Sequence, residues 1–362
     1  MGKEIQEVLE RFGFDETLFN EFVKRAKKKE SSVITEPISP PNHGCFISLP
    51  PQGSNERQHL ESKGAEAIAS GKVACIILAG GMATRFGNVV KATVPVLGEK
   101  TFLDIKLQGV ARYGQRISVW IMTSFATHDA IESHLLKREW KERLDIKCFP
   151  QFLSLRLNPD ASVFYDETGS PSPYATGHGD LPAALKKSGL LESFIKKGGK
   201  VLFVSNVDNV GATLEPAIIG WHLEHGAPLS IEVAPKKPGD KGGAPAVVSG
   251  RTVIVEGFRF PPSFDQDSIQ VFNTNTFTIS ADSIKEEIPL PYHPVEKTVK
   301  NQKVLQFERL LGELSFFIET RFLLVEREGE GSRFLPVKDV DELNQRRMAI
   351  IKIAEELEKK YL

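Results

Sequence analysis

The segment Leu78-Ala79-Gly80-Gly81-Met82-Ala83-Thr84-Arg85-Phe86-Gly87 joins glycines, which let a ligand approach the backbone, to the cation Arg85, with Lys91 close behind. A triphosphate suits such a segment, because two cations and the exposed amides of a helix start expected directly after it all favour negative charge. It is neither a Walker A loop nor a dinucleotide fingerprint, since both Gly-Lys-Ser/Thr and Gly-x-Gly-x-x-Gly are absent from it. In Ser205-Asn206-Val207-Asp208-Asn209, Asp208 is either a carboxylate for Mg2+ or a turn former. Thr176-Gly177-His178-Gly179-Asp180 offers glycines beside which a flat base could lie, and His178 as a donor to phosphate or sugar. Asn273 and Asn275 would share one face of a strand, where amides could read sugar hydroxyls. Lys297 and Lys338 stand as isolated cations.

Such residues need elements to hold them. The apolar run at 73–79 reads as a buried strand, followed by helices near 102–113 and 128–140 and strands at 117–123, 145–149 and 201–205. This alternation predicts an α/β fold, a doubly wound and largely parallel sheet with ligands beyond the carboxyl ends of its strands. Strand-rich stretches at 229–234, 252–258 and 269–279 predict a mixed portion able to receive a second substrate. Residues 3–29 suit one or two amphipathic helices, the prolines between Ser31 and Gly71 predict an extended connection, and Asp339 and Glu342 have the spacing of a helix start. Three portions are expected: 1–71 with the helical segment and linker, 72–300 with the ligand-binding core and its mixed portion, and 301–362 as an α/β extension ending in a helix.

With 46 Lys+Arg against 47 Asp+Glu the chain is close to neutral, which argues against a globally basic nucleic-acid binder. Its hydrophobic share of 41% excludes disorder over most of its length. Cys45, Cys75 and Cys148 form no CxxC pair, and no apolar run reaches signal-peptide or membrane-span length. A cytoplasmic protein without nucleic-acid or membrane partners is expected.

In chain order, LAGGMATRFG at 78–87, FPQ at 149–151 with Arg156 beyond it, GHGD at 177–180, FVSNVDN at 203–209, KGG at 241–243, FNTN at 272–275 and RFLPVK at 333–338 together resemble the UDP-glucose pyrophosphorylase family of uridylyltransferases. The UDP-N-acetylhexosamine pyrophosphorylases are more distant relatives. The resemblance implies a sheet of nucleotide-diphospho-sugar transferase type. It also implies the reaction of UTP with a sugar 1-phosphate, foremost glucose 1-phosphate, to give a UDP-sugar and pyrophosphate with Mg2+. On it, Gly80 and Gly81 meet the nucleotide, Arg85, Lys91 and Lys338 are the catalytic cations, Gln151 and Gly177 bind uracil, and Asp208 holds Mg2+. His178, Asn206, Glu232, Gly243 and Asn273 would surround the sugar phosphate, with Lys297 a further phosphate-binding lysine. The chain departs from the family pattern at Ala83, where glycine is usual, at Lys91, which follows Gly87 one residue early, and at Ser154, where proline is commoner. Other readings are a UDP-N-acetylhexosamine or broad UDP-sugar pyrophosphorylase and a catalytically silent UDP-sugar-binding regulatory protein. The chain ends soon after RFLPVK, so the resemblance carries over no oligomeric state.

Overall fold

Alternate residues of the strand Val73–Leu78 feed two separate cores. Ala74, Ile76 and Leu78 join Trp120, Met122, Leu202 and Val204, whereas Val73, Cys75 and Ile77 join Val119, Ile121, Val201 and Phe203. A strand covered on both faces must be apolar at every position, which is why this run shows no polar alternation. The computed structural model describes residues 3–83, 86–87, 89–114, 117–237, 240, 242–329 and 331–359.

The main sheet has eight strands, ordered Phe46–Ser48, Thr320–Leu324, Leu229–Pro235, Val271–Ser280, Val201–Asn206, Val73–Leu78, Ser118–Thr123 and Asp145–Pro150. Val271–Ser280 runs antiparallel to both neighbours, and every other pairing is parallel. From Val73–Leu78 the chain moves outward to Asp145–Pro150 and then crosses back to Val201–Asn206. The point of reversal therefore lies between Val73–Leu78 and Val201–Asn206, and the crevice at their carboxyl ends is the natural ligand position.

The connection at 31–71 is not extended throughout. Its last part forms the helix Asn55–Ala69, whose first turn is capped by the Ser54 hydroxyl accepting from the Arg57 N–H at 3.1 Å. This helix crosses Pro216–His225 so closely that a Cβ on Gly64 would stand 1.8 Å from the Pro216 carbonyl oxygen, and one on Gly220 would stand 1.9 Å from that of Leu60. Backbone contact through glycines leaves little apolar periodicity to read, so the prolines upstream dominate the pattern. A helix start directly after Gly80-Gly81 is likewise not found: Met82–Ala83 pairs with Val89–Val90 in a small ribbon that runs into the 3-10 turn Lys91–Thr93. The next helix, Phe102–Ala111, begins with a capping box between Thr101 and Asp104.

At the N-terminus, the helices Lys3–Arg11 and Glu16–Lys27 place Phe22 on Tyr292 and Phe307, next to the hairpin His293–Val299 and Gln302–Glu308. The chain closes with Val340–Glu358, capped by Asp339, whose carboxylate accepts from the Glu342 N–H at 2.9 Å. Among the described residues no helix is long and apolar enough to cross a membrane.

Candidate active site

Asn206 is the register partner of Leu78, and the Val207 N–H donates to the Leu78 carbonyl at 3.1 Å. Gly80-Gly81 and Asp208 thus leave adjacent strands at the same edge. The Lys91 N–H donates to the Gly81 carbonyl at 3.3 Å, and its ammonium pairs with the Asp208 carboxylate. Both side chains are mostly shielded, at 17% and 19% exposed, so their attraction is screened less than that of a surface pair. Segment 333–338 lies along the same turn. The Asn209 amide donates to the Arg333 carbonyl at 3.2 Å and accepts from the Leu335 N–H at 2.8 Å, and the Val337 N–H reaches the Asp208 carbonyl at 3.3 Å. Lys338 follows directly; its N–H is held by Glu342 at 2.8 Å and its side chain is exposed.

The next strand ends continue the crevice. The Ser124 hydroxyl donates to the Gly80 carbonyl at 2.9 Å, and the Gln151 N–H donates to the Thr123 carbonyl at 2.9 Å. The buried Gln151 amide lies across Gly80 so tightly that a Cβ there would be 2.0 Å from Nε2. Gly177, at φ +109°, is pressed against Arg309, whose carbonyl oxygen would be 2.4 Å from a Cβ. Only glycine adopts that backbone region against such a wall without strain.

On the other side, Val271–Ser280 brings its first residues to the same edge because it runs antiparallel. Its pairing with Leu229–Pro235 is bulged, skipping Thr274 and Asn275, and Asn275 sits at φ +57°. The bulge leaves Asn273 and Asn275 both half-buried on either side of the buried Thr274. The two are joined by a hydrogen bond from the Asn275 N–H to the Asn273 side-chain oxygen at 2.9 Å, and the Asn275 amide donates to that of Asn206 at 2.8 Å. The Asn273 N–H donates to the Gly243 carbonyl at 2.8 Å. The missing Cβ of Gly243 leaves room for Glu256, a carboxylate oxygen of which would lie 2.8 Å from it. Burial, reinforced by Glu313, pushes the Glu256 carboxyl up to about 7. His178 accepts the Leu311 N–H at Nδ1, 3.0 Å away, and burial pushes the imidazole down to about 4. A neutral ring accepting at Nδ1 carries its proton on Nε2, where it can donate.

Glu232 is tied to Arg333. Expected beside the sugar phosphate, it is buried, and its two oxygens take Nε and Nη2 of Arg333, each at 2.8 Å. A carboxylate engaged in such a bidentate pair serves to anchor segment 333–338. Lys297 stands on the 293–308 hairpin with its ammonium 3.1 Å from Glu308, not against the Lys91 and Asp208 pair. Arg85 and Lys241 lie outside the described residues.

Three further residues join the crevice in the folded chain. Glu256 gives no sequence signal, being one acid at a strand end. Arg333 belongs to RFLPVK, yet its partners Glu215 and Glu232 are distant in sequence. Lys106 and the capping Asp104 are the two charged residues among the buried positions of Phe102–Ala111, and Lys106 lies within its apolar run. Its ammonium donates to Ser205 at 2.9 Å and to the Ala212 carbonyl at 2.5 Å, holding both ends of the turn that carries Asp208. Burial, with Arg333 acting in the same sense, pushes Lys106 down to about 7.

The sequence profile of the UTP–glucose-1-phosphate uridylyltransferases matches residues 13–358. The chain is 29% identical over 354 residues to UTP–glucose-1-phosphate uridylyltransferase 2 of Dictyostelium discoideum, covering 90% of this chain and 66% of that protein. It is 31% identical over 297 residues to the UTP–glucose-1-phosphate uridylyltransferase of Saccharomyces cerevisiae, covering 75% of this chain and 58% of that one. The match thus spans 58–66% of the length of these curated relatives. A crystal structure of a UDP-glucose phosphorylase from Trypanosoma brucei superposes with a TM-score of 0.77 at 26% identity, covering 94% of this chain and 77% of that chain.

Proposed function

Because the chain belongs to the UTP–glucose-1-phosphate uridylyltransferase family, we propose that it transfers a uridylyl group from UTP to glucose 1-phosphate, releasing pyrophosphate and forming UDP-glucose. The observation that carries this reading is the Lys91 and Asp208 pair beside Gly80-Gly81 at the reversal point of the sheet, with Gln151 at the end of the strand Asp145–Pro150 and packed across Gly80. A phosphate oxygen of the sugar phosphate attacks the α-phosphorus of UTP, and the bond from that phosphorus to the bridging oxygen of the departing pyrophosphate breaks. That nucleophile is already anionic, so no general base is required. The protein contributes alignment and charge.

Lys91 meets the nucleotide phosphates, with Lys338 and Arg85 as further cations. Gln151 and the backbone at Gly177 present donors and acceptors to the uracil edge, favouring UTP over CTP by about tenfold or more. His178 donates from Nε2 to the sugar phosphate, and Asn206, Asn273 and Glu256 face its hydroxyls. Among the described residues no group of three or more His, Cys, Asp or Glu could hold a metal. One carboxylate, Asp208, completed by substrate phosphate oxygens, nevertheless suits Mg2+. When bound, Mg2+ would supply charge neutralisation on the phosphates. A cytoplasmic location belongs to the same reading.

Mixing the protein with UTP, Mg2+ and glucose 1-phosphate should release pyrophosphate. Binding of UDP-glucose without pyrophosphate release would instead identify a silent binder. Preference for N-acetylglucosamine 1-phosphate in direct competition would move the substrate assignment and leave uridylyl transfer standing.

A further inference from the structure

We propose that Asp180 and Arg309 are positioning residues for base selection: the Asp180 carboxylate clasps the segment carrying Gln151 to the segment carrying Gly177, and Arg309 backs both. The inference rests on the uridylyl-transfer reading above, in which those two residues meet uracil. Asp180 is 0% exposed, and its Oδ2 accepts from the Phe152 N–H at 3.2 Å and from the Thr176 hydroxyl at 2.5 Å. Phe152 directly follows Gln151 and Thr176 directly precedes Gly177. The Thr176 N–H also donates to the Phe152 carbonyl at 3.1 Å, so the two segments are joined twice.

Arg309 closes the third side. Its N–H donates to the Thr176 carbonyl at 2.7 Å, and its carbonyl accepts from the Gly179 N–H at 3.1 Å, against the face of Gly177 that lacks a Cβ. Its guanidinium lies 3.9 Å over the Tyr292 ring and 4.0 Å from Asp180 Oδ1. Tyr292 is held in turn by Phe22 and by Arg25, which donates to its carbonyl at 2.6 Å. The N-terminal helix Glu16–Lys27 thus braces the wall behind the base.

A carboxylate in this place is costly as packing. Its Oδ1 has no hydrogen bond among the described residues, and burial pushes the group up to about 6. An apolar side chain would fill the same space without that cost, but could not hold one donor from each segment. Hydrogen bonds to a base tolerate only a few tenths of an ångström of displacement. The strands Leu153–Leu155 and Pro173–Ala175 pair antiparallel just beyond these residues, with Leu153 opposite Ala175, and the Asp180 carboxylate carries that tie on to the end where Gln151 and Gly177 stand.

The test compares kcat/KM for UTP and CTP, and KM for glucose 1-phosphate, in the wild type, Asp180→Ala, Asp180→Asn and Thr176→Val. Asp180→Asn keeps an acceptor oxygen for both donors, Asp180→Ala removes it, and Thr176→Val removes one donor. The UTP/CTP ratio should fall by about tenfold in Asp180→Ala and by about threefold in Thr176→Val, through a raised KM for UTP. In both variants KM for glucose 1-phosphate should hold within about twofold, and Asp180→Asn should keep the wild-type ratio within about twofold. The proposal is overturned by an unchanged ratio in Asp180→Ala, or in Thr176→Val where Asp180→Ala does not fold. Equal rises in both KM values, as from general loosening, would also overturn it. Equal UTP and CTP kinetics in the wild type would overturn the base assignment as well, and that result is visible before any variant is made.

Discussion

Gly80→Ala tests the contact between Gly80 and Gln151, on which the proposed reading of the base depends. An ideal Cβ at this position lies 2.0 Å from Gln151 Nε2 and 3.1 Å from its Cδ, while the next nearest atom, Ser124 Cβ, is at an ordinary 3.5 Å. Non-bonded contact requires about 3.5 Å, so the Gln151 amide must retreat by about 1.5 Å, enough to lose a hydrogen bond. Because the clash falls on the end of a flexible side chain, the fold should absorb it, with the melting temperature kept within about 3 °C. The base cannot compensate, since Gln151 is buried and a displaced partner leaves the uracil edge unpaired at a cost of about 1–3 kcal/mol. Initial rates of pyrophosphate release with varied UTP at saturating glucose 1-phosphate should therefore give kcat/KM lower by about 5- to 150-fold. The same substitution in a Gln151→Ala background should cost little, because the group it displaces is gone. Unchanged UTP kinetics, or a full loss that persists in that background, would refute the reasoning.

Lys91→Met should lower kcat by about a hundredfold or more with the fold intact, since its charge is needed where negative charge develops; near-normal kcat in the pyrophosphate assay would remove it from the mechanism. Gly64→Ala has the opposite character to Gly80→Ala, because its Cβ would meet the Pro216 carbonyl at 1.8 Å and the helices must separate; a loss of about 1–3 kcal/mol by denaturant titration is expected, and an unchanged midpoint would contradict the crossing. His222, bonded to Ser230 at 2.8 Å and Ser280 at 3.0 Å, is pushed by burial from 6.5 down to about 4. Its neutral form belongs to the folded state, so its contribution is whole above pH 6.5 and is lost as pH falls towards 4; of the stability lost between pH 7.5 and 5, about 2 kcal/mol should disappear in His222→Gln, and equal pH dependence of the two proteins would contradict this. His178, also pushed down to about 4, should show no imidazole titration between pH 5.5 and 8 in proton NMR spectra.

The sequence by itself determined the elements whose signal is local. The run at 73–79, the alternating helices and strands to 205, and the terminal helix from Asp339 depend on periodicity and capping within a few residues, and they recur as Val73–Leu78, Val201–Asn206 and Val340–Glu358. The motif residues Gly80 and Asp208 were legible for the same reason, since chain order and strand type already put them at one edge of a parallel sheet, whereas Gln151 was marked only by the resemblance of its motif to the family. The tertiary structure alone decided what depends on partners far apart in the chain. Glu232 reads as a polar residue on a strand, and only the arrival of Arg333 makes it an internal anchor. The bulge opposite Leu229–Pro235 and the bond from Asn275 to Asn206 arise only when distant strands are paired. The helix Asn55–Ala69 is hidden because it packs through Gly64 and Gly220, residues with no side chain to leave a pattern. Hydrophobic periodicity records which face of a segment is buried, whereas the identity of a charged or backbone partner is set by how distant segments are brought together, and that information resides in the assembled sheet.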